Sequence, residues 1–246
     1  MDNVKRTYKI DALQSLERLE SISIVNLIKG IPVYFSVFSL IVKNIFSFPA
    51  EVNFRSPESL KRAIGFAFFS IIIAFFLLVP IMLIHEVNLP KIPFMLKSVF
   101  VGLVFVCISH IFFKLFGSTE SFRTTATVYG FLVGAFTPIG IAIMYPILLS
   151  IGFDAINGTP EKIAEYASEE KHASYFRITW ALQTLFGLFL WFVLVAWYSK
   201  SHEIGKFKVF LSLLFSGFIY MLLVVYVLNP IFNTISIYFE KYLFFV

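Results

Sequence analysis

Charged residues are scarce in this chain of 246 residues: only 14% are Asp, Glu, Lys or Arg, whereas soluble domains carry about 25%. A soluble domain of this size could not hide its hydrophobic residues, 59% of the total, in one core. The apolar residues also lie in long blocks, and the mean hydropathy is +0.85. These features predict an integral membrane protein whose helices face lipid.

Side chains suited to catalysis or metal binding are also scarce. The single cysteine, Cys107, excludes an intramolecular disulfide and any site built on a cysteine pair. His85-Glu86 lacks the second histidine of a zinc-binding HExxH motif, since Leu89 stands in its place. With four histidines and few acids in the apolar blocks, we predict no catalytic residue, no metal site and no cofactor. The chain is not expected to be an enzyme.

The net charge of +5 could suggest a nucleic-acid partner in a soluble protein. Here the lysines and arginines lie at the ends of apolar blocks, where they orient a protein in the membrane. We therefore expect membrane lipids, and no nucleic acid, as partners.

Five apolar blocks approach the length of about 20 residues that a crossing helix needs. The predicted fold class is all-α: a polytopic transmembrane helical bundle of about five spans with flanking interfacial amphipathic helices. The predicted spans are 56–84, 98–116, 120–153, 176–198 and 207–228. The domain organisation follows: an N-terminal amphipathic and interfacial region (1–55), the membrane domain (56–228) and an amphipathic C-terminal tail (229–246).

Local signals mark several helix ends. Ser56-Pro57-Glu58 is typical of a capped helix start, and Thr159-Pro160-Glu161 predicts a second such start in the longest polar loop. Gly117 is a predicted helix C-cap, followed by Ser118 or Thr119 as the next N-cap, with Glu120 in the first turn of the third span. Asn229-Pro230 is predicted to end the fifth span. Asn157 begins a glycosylation sequon, but the favoured interpretation is a turn at Asn157-Gly158 with Thr159 as the cap of the next helix.

Residues 31–48 admit two interpretations. Polar residues interrupt an apolar run of nearly spanning length, which favours a helix lying in the membrane interface, and Gly30 and Pro32 are predicted to end the helix before it. The alternative is a sixth span, which would put both chain termini on one side of the membrane.

The third span is rich in helix-breaking residues: Gly130, Gly134, Pro138, Gly140 and Pro146. We expect an irregular helix at the centre of the bundle, because neighbouring protein must satisfy the freed backbone groups. Gly130 and Gly134 form a GxxxG sequence, which lets a second helix approach closely, although this sequence also arises by chance.

His110 and Lys114 lie four residues apart on one face of the second span. An ionisable residue inside a membrane is costly, so this pair is a candidate polar site for an ion or proton path or a lipid headgroup. The structural alternative is that Lys114 extends to the headgroups from the helix end.

The distribution of basic residues predicts orientation. With a cytoplasmic N-terminus, eight basic residues in or near the loops face the cytoplasm and six face out. The eight are Arg55, Lys61, Arg62, Lys114, Arg123, Lys200, Lys206 and Lys208.

The segment from Lys114 to Gly130, together with Pro138 beyond it, resembles the Yip1 domain, in which a glycine-rich turn follows the second span. The matching positions are Gly117, Ser121, Phe122, Tyr129, Gly130 and Pro138; Ser118 replaces the usual second glycine. The resemblance implies a five-span, compact bacterial-type member in the inner membrane. Eukaryotic members associate with Rab-type GTPases, but this chain lacks their long N-terminal region, so GTPase binding is not expected.

Two functions from different classes follow. The first is a non-enzymatic membrane protein that acts through helix, lipid or partner contacts, including a possible homo-oligomer. The alternative is a small transporter or channel that uses His110 and the broken third span.

Overall fold

The computed structural model describes residues 24–85, 92–152 and 160–232. Helices account for 88% of the structure and no strand occurs in the described residues, which confirms the predicted all-α class. In chain order the helices are α1 (Ile24–Lys43), α2 (Phe48–Glu51), α3 (Pro57–Ile84), α4 (Ile92–Leu115), α5 (Phe122–Ile151), α6 (Pro160–Ser168), α7 (Glu170–His202) and α8 (Lys206–Leu223), which a π-helical segment, Val224–Leu228, extends.

Four of the described helices are long and apolar enough to cross a membrane: α3, α5, α7 and α8 with its continuation to Phe232. These helices define an integral, multi-pass membrane protein. The predicted second span is also helical, as the 24-residue α4, although its apolar part at Phe100–Leu115 is shorter than the other spans. A count of five spans therefore stays a prediction.

Helix α5 lies at the centre of the bundle, packed mainly against α3 and α7. Aromatic rings from α1, α2, α3 and α7 form a core around it. Phe131 of α5 lies against Phe48 of α2, at 5.3 Å between ring centroids, and Phe48 stacks on Trp197 of α7 at 5.1 Å. Large side chains on the outer faces of the same helices stay exposed, as lipid-facing surfaces require.

Helix α1 runs along the bundle. Tyr34 is buried, and its hydroxyl donates to the Gly134 carbonyl at 2.8 Å, well inside α5. Further along the chain, the carbonyl of Ile45 accepts from the Trp197 indole near the end of α7. The apolar part of α1, Ile31–Lys43, is shorter than the four candidate spans, so the interfacial and the spanning interpretations of residues 31–48 both stay predictions. The expected break at Gly30 and Pro32 is wrong, because α1 continues through both residues.

The turn between α4 and α5 is longer than predicted. Gly117 ends α4 with φ +98°, a conformation that favours glycine. Helix α5 starts at Phe122, so Glu120 lies outside it, and Ser121 holds the N-cap position without a side-chain cap bond. Because Ser121 holds this position, neither Ser118 nor Thr119 is the helix cap; Ser118 Oγ accepts from the Glu120 N–H inside the turn.

Other helix ends agree in part with the predictions. The Ser56 side chain accepts from the Ser59 N–H, as expected of an N-cap, and α6 begins at Pro160. The predicted break in the third span is wrong, because α5 is one continuous helix that contains both prolines. The predicted end at Asn229 is also wrong, since the last helix continues to Phe232. Asn157 and the tail beyond Phe232 lie outside the described residues.

A candidate polar site at one end of the bundle

Five helix ends meet around the turn at residues 116–121, which we call the turn end of the bundle. They are the start of α3, the end of α4, the start of α5, the end of α7 and the start of α8. This end holds the largest group of interacting polar side chains in the described structure.

An ion-pair network closes the outer side of the turn end. The Nε atom of Arg55 donates to both carboxylate oxygens of Glu120 at 3.0 Å, and its Nη2 atom pairs with Glu203. Thr124 donates to the same Glu120 carboxylate at 3.1 Å. These contacts tie the segment before α3 to the turn, to α5 and to the residue after α7.

The electrostatics of this pair follow from its partners. Burial opposes the charge on Glu120, but hydrogen bonds from Arg55 and Thr124 outweigh it, so the pKa of Glu120 falls below its ordinary value. Hydrogen bonds with Glu120 and Glu203 likewise raise the pKa of Arg55. Both groups are therefore charged at neutral pH.

Beneath the ion pair, a chain of four hydrogen-bonding side chains crosses the bundle. Ser118 Oγ lies 2.8 Å from His202 Nδ1, and His202 Nε2 lies 3.2 Å from Thr125 Oγ1. Thr125 Oγ1 in turn lies 2.9 Å from His110 Nδ1. His202 is only 1% exposed, so both of its ring nitrogens depend on these two hydroxyls for hydrogen bonds.

The chain can be ordered in two directions. In one, Ser118 donates to His202 Nδ1, His202 Nε2–H donates to Thr125, and Thr125 donates to His110 Nδ1. In the other, every donor and acceptor is exchanged. A neutral imidazole has one donor and one acceptor nitrogen, so each direction fixes one tautomer of His202. The arrangement can therefore hold and relay a proton.

The predicted polar pair, His110 and Lys114, is not joined by a described hydrogen bond. His110 belongs to the side-chain chain above, whereas Lys114 donates to the Thr119 carbonyl at 3.0 Å and so holds the turn. Sequence reasoning missed His202 and Thr125, although the polar residues Ser201, His202 and Glu203 at the end of an apolar block were a visible signal.

The residues that resemble the Yip1 motif are distributed along the turn and α5. Gly117 and Ser121 lie at the two ends of the turn. Phe122 is 42% exposed, and its ring lies edge-on to the His110 ring, with 5.5 Å between the ring centroids. Pro138 is buried within α5. Tyr129 extends its hydroxyl towards α4, where a Cβ added to Gly102 would lie 2.7 Å from it.

The GxxxG residues lie where α5 meets α3. A Cβ added to Gly130 would lie 2.9 Å from the Ala63 Cβ and 3.2 Å from its backbone carbon. A Cβ at Gly134 would lie 2.6 Å from Cε1 of the Phe66 ring. The absence of side chains at both positions thus permits the close approach of the two helices.

Metal-binding groups do not gather at this site. Within the described residues, no three His, Cys, Asp or Glu side chains are close enough to hold a metal ion. The site is instead built of hydroxyls, two imidazoles and an ion pair.

Comparison with protein-family models, with curated proteins and with solved structures found no match for this chain. The fold defines a class, a helical multi-pass membrane protein.

Proposed function

We propose that the protein acts non-enzymatically, through contacts that its helices make with lipid and with other membrane proteins, including a second copy of itself. The observation that supports this proposal is the outer face of α7, the least buried of the four candidate spans.

Helix α7 is 33 residues long and exposes large apolar side chains along much of its length. Trp180, 72% exposed, lies two turns before Gly187 on one side of the helix, and Leu185 (66%) and Phe192 (67%) lie seven residues apart on another side. A Cβ added to Gly187, on the same helix, would meet no atom within 4 Å. In lipid, such a face is satisfied either by acyl chains or by another helix, and an open glycine lets a partner backbone come close.

Disulfide crosslinking in membranes tests the self-association. In a Cys107→Ser background, oxidation of a Gly187→Cys variant should give a covalent dimer. The matched control is Gly65→Cys on α3, since a Cβ there also meets no atom within 4 Å. No dimer from Gly187→Cys, or equal dimer from both variants, would contradict a specific α7 interface.

For localisation, we propose the bacterial inner membrane with the turn end in the cytoplasm. Basic residues gather there: Lys200 donates to the Phe46 carbonyl, and Lys208 Nζ lies 4.0 Å from a Cβ built at Gly117. Because α1 leads away from this end along the bundle, its first residue, Ile24, would then lie towards the other face. The five-span prediction places the N-terminus in the cytoplasm. The N-terminus and the turn end can both be cytoplasmic only if α1 does not cross the membrane.

The Yip1 resemblance also stays a proposal. It is supported by the positive φ of Gly117 and by the position of Gly130 against α3. GTPase binding is not part of the proposal.

A further inference from the structure

The turn end carries an excess of positive charge. The eight basic side chains named above as cytoplasmic lie at its five helix ends, against three acidic ones, Glu58, Glu120 and Glu203. Arg55 already pairs with both Glu120 and Glu203. Within the described residues the remaining basic groups at this end therefore outnumber the carboxylates left for them, which favours a negatively charged partner.

Two of these lysines converge on the turn at residues 116–121. Lys114 Nζ donates to the Thr119 carbonyl at 3.0 Å, and Lys208 Nζ lies 4.0 Å from a Cβ built at Gly117. The first turn of α8, which holds Lys208, has no acidic residue, and no described carboxylate pairs with either lysine. An ammonium group has three donors, so both lysines can still donate to an anion at the surface of the turn.

A stack of aromatic rings lies below Lys208. Phe215 is seven residues further along α8, which places it on the same face, two turns and about 10 Å deeper. Its ring is nearly parallel to those of Phe112 and Phe116 on α4, at 6.1 Å and 6.3 Å between centroids. Phe215 is 46% exposed, and the two α4 rings are partly exposed. A charged group and an apolar surface are therefore aligned along the bundle.

The position of the stack is fixed by the contact between α4 and α8. The Ser109 hydroxyl donates to Ser216 at 3.3 Å, and both serines are buried, so they lie on the inner side of this contact. Phe215, next to Ser216, lies on the outer side, which faces lipid. Because α8 is a candidate span, its first turn lies at the depth of the lipid headgroups, where lysines extend towards phosphate.

We propose that an anionic phospholipid binds along this line, with its phosphate at Lys114 and Lys208 and an acyl chain on the rings of Phe112, Phe116 and Phe215. These five residues are here called the lipid seam. The inference rests on the proposed function, which includes contacts with lipid, and adds the class of lipid and the place where it binds.

The occupant follows from the two parts of the lipid seam. A free phosphate or an acidic peptide in water would reach the lysines but not the rings, which lie deeper among acyl chains. A phospholipid without net charge would reach the rings but would not balance the lysines. An amphiphile with a net negative headgroup meets both requirements.

Native mass spectrometry of the purified protein tests the proposal. Protein in detergent is mixed with equal amounts of phosphatidylglycerol and phosphatidylcholine that carry the same acyl chains, and the ratio of the two bound lipids is measured. The wild type should retain more phosphatidylglycerol. Lys208→Gln and Lys114→Gln should each lower this ratio about fivefold, the effect of ~1 kcal/mol for one lysine near the membrane surface.

Matched lysine variants separate a defined site from diffuse surface charge. Lys200 is also exposed at the turn end, but its ammonium donates to the Phe46 carbonyl, in the segment between α1 and α2. Lys200→Gln should therefore leave the lipid ratio unchanged, and Lys208→Arg, which keeps the charge, should retain the preference. Equal losses in Lys200→Gln and Lys208→Gln, or no preference in the wild type, would overturn the proposal.

A second comparison tests the rings. Phe215→Ala should weaken retention of both lipids, whereas Phe76→Ala, which removes an exposed ring from α3, should not. Excess inorganic phosphate should not displace phosphatidylglycerol; displacement would show recognition of the phosphate alone and would contradict a role for the rings. A Gly187→Cys dimer without a phosphatidylglycerol preference would refute the lipid seam alone, and the preference without the dimer would refute the α7 interface alone.

Discussion

The close contact between α5 and α3 gives the most quantitative prediction. In a Gly134→Ala variant the new methyl group would overlap Cδ1 of Phe66 and lie 2.6 Å from Cε1 and 2.9 Å from Cγ. Carbon atoms in contact are normally about 3.5–4.0 Å apart, so the ring or a helix would have to shift by more than about 1 Å. The Phe66 ring has little room to move, because it is fully buried, stacked on Tyr34 at 4.9 Å and 6.0 Å from Phe131.

Overpacking of this kind costs about 1–3 kcal/mol, and we expect about 2 kcal/mol here because the ring is held on both faces. Alanine also favours a helix over glycine by about 1 kcal/mol, which offsets part of the loss. Gly187→Ala makes the same chemical change on α7, where a Cβ meets no atom within 4 Å, so it carries only the favourable part. The difference between the two variants therefore isolates the steric contribution.

The assay is reversible unfolding of the purified protein in mixed micelles of increasing SDS content, followed by circular dichroism. Gly134→Ala should unfold at lower SDS than the wild type, and Gly187→Ala at the same or higher SDS. A difference of 2 kcal/mol between the variants is about a 30-fold change in the unfolding equilibrium. Equal stability of the two alanine variants would refute the packing argument.

Three further predictions concern the turn end and α1. Because Arg55 lowers the pKa of Glu120 in the folded protein, the pair stabilises the fold above the ordinary carboxyl pKa of 4.5. This stabilisation is lost as the pH falls through the pKa that Glu120 has in the folded protein. Glu120→Gln should therefore remove this pH dependence from the SDS content at which half of the protein is unfolded. Trp197→Phe loses a buried indole hydrogen bond and should destabilise by about 1 kcal/mol, whereas Trp180→Phe on the exposed face of α7 should have no measurable effect. If α1 crosses the membrane, an N-terminal tag and a cysteine placed at Lys200 will be labelled from opposite sides by an impermeant reagent, and labelling from one side would exclude the crossing.

Features that depend only on residues close together in the chain could be predicted from the sequence. The start of α3 follows from Ser56 and Pro57, and the apolar blocks predict the long helices, because both signals are local. The buried face of α1 also had a local signal: Tyr34, Val37 and Ile41 are spaced by three and four residues, so they share one helical face. The polar residues between them obscured it.

The polar site was predictable only in part, because its members come together through tertiary packing. His110 stood out as an ionisable residue in an apolar block. Its connection to His202 passes through Thr125 on a third helix, and the two histidines are 92 positions apart in the sequence. Ser118 was expected to cap a helix, but its hydroxyl binds His202 instead, a choice that no pattern within the turn reveals.

The packing of α1 has a consequence for the order of synthesis. Tyr34 bonds to a residue 100 positions later in the chain, and Ile45 to one 152 positions later. The ribosome therefore releases α1 long before its partners in α5 and α7 exist. Until Trp197 has been synthesised, the Tyr34 hydroxyl, the Ile45 carbonyl and the core rings of the nascent chain are not all in contact with their final partners. The first of the described helices to be made is thus among the last to reach its final packing.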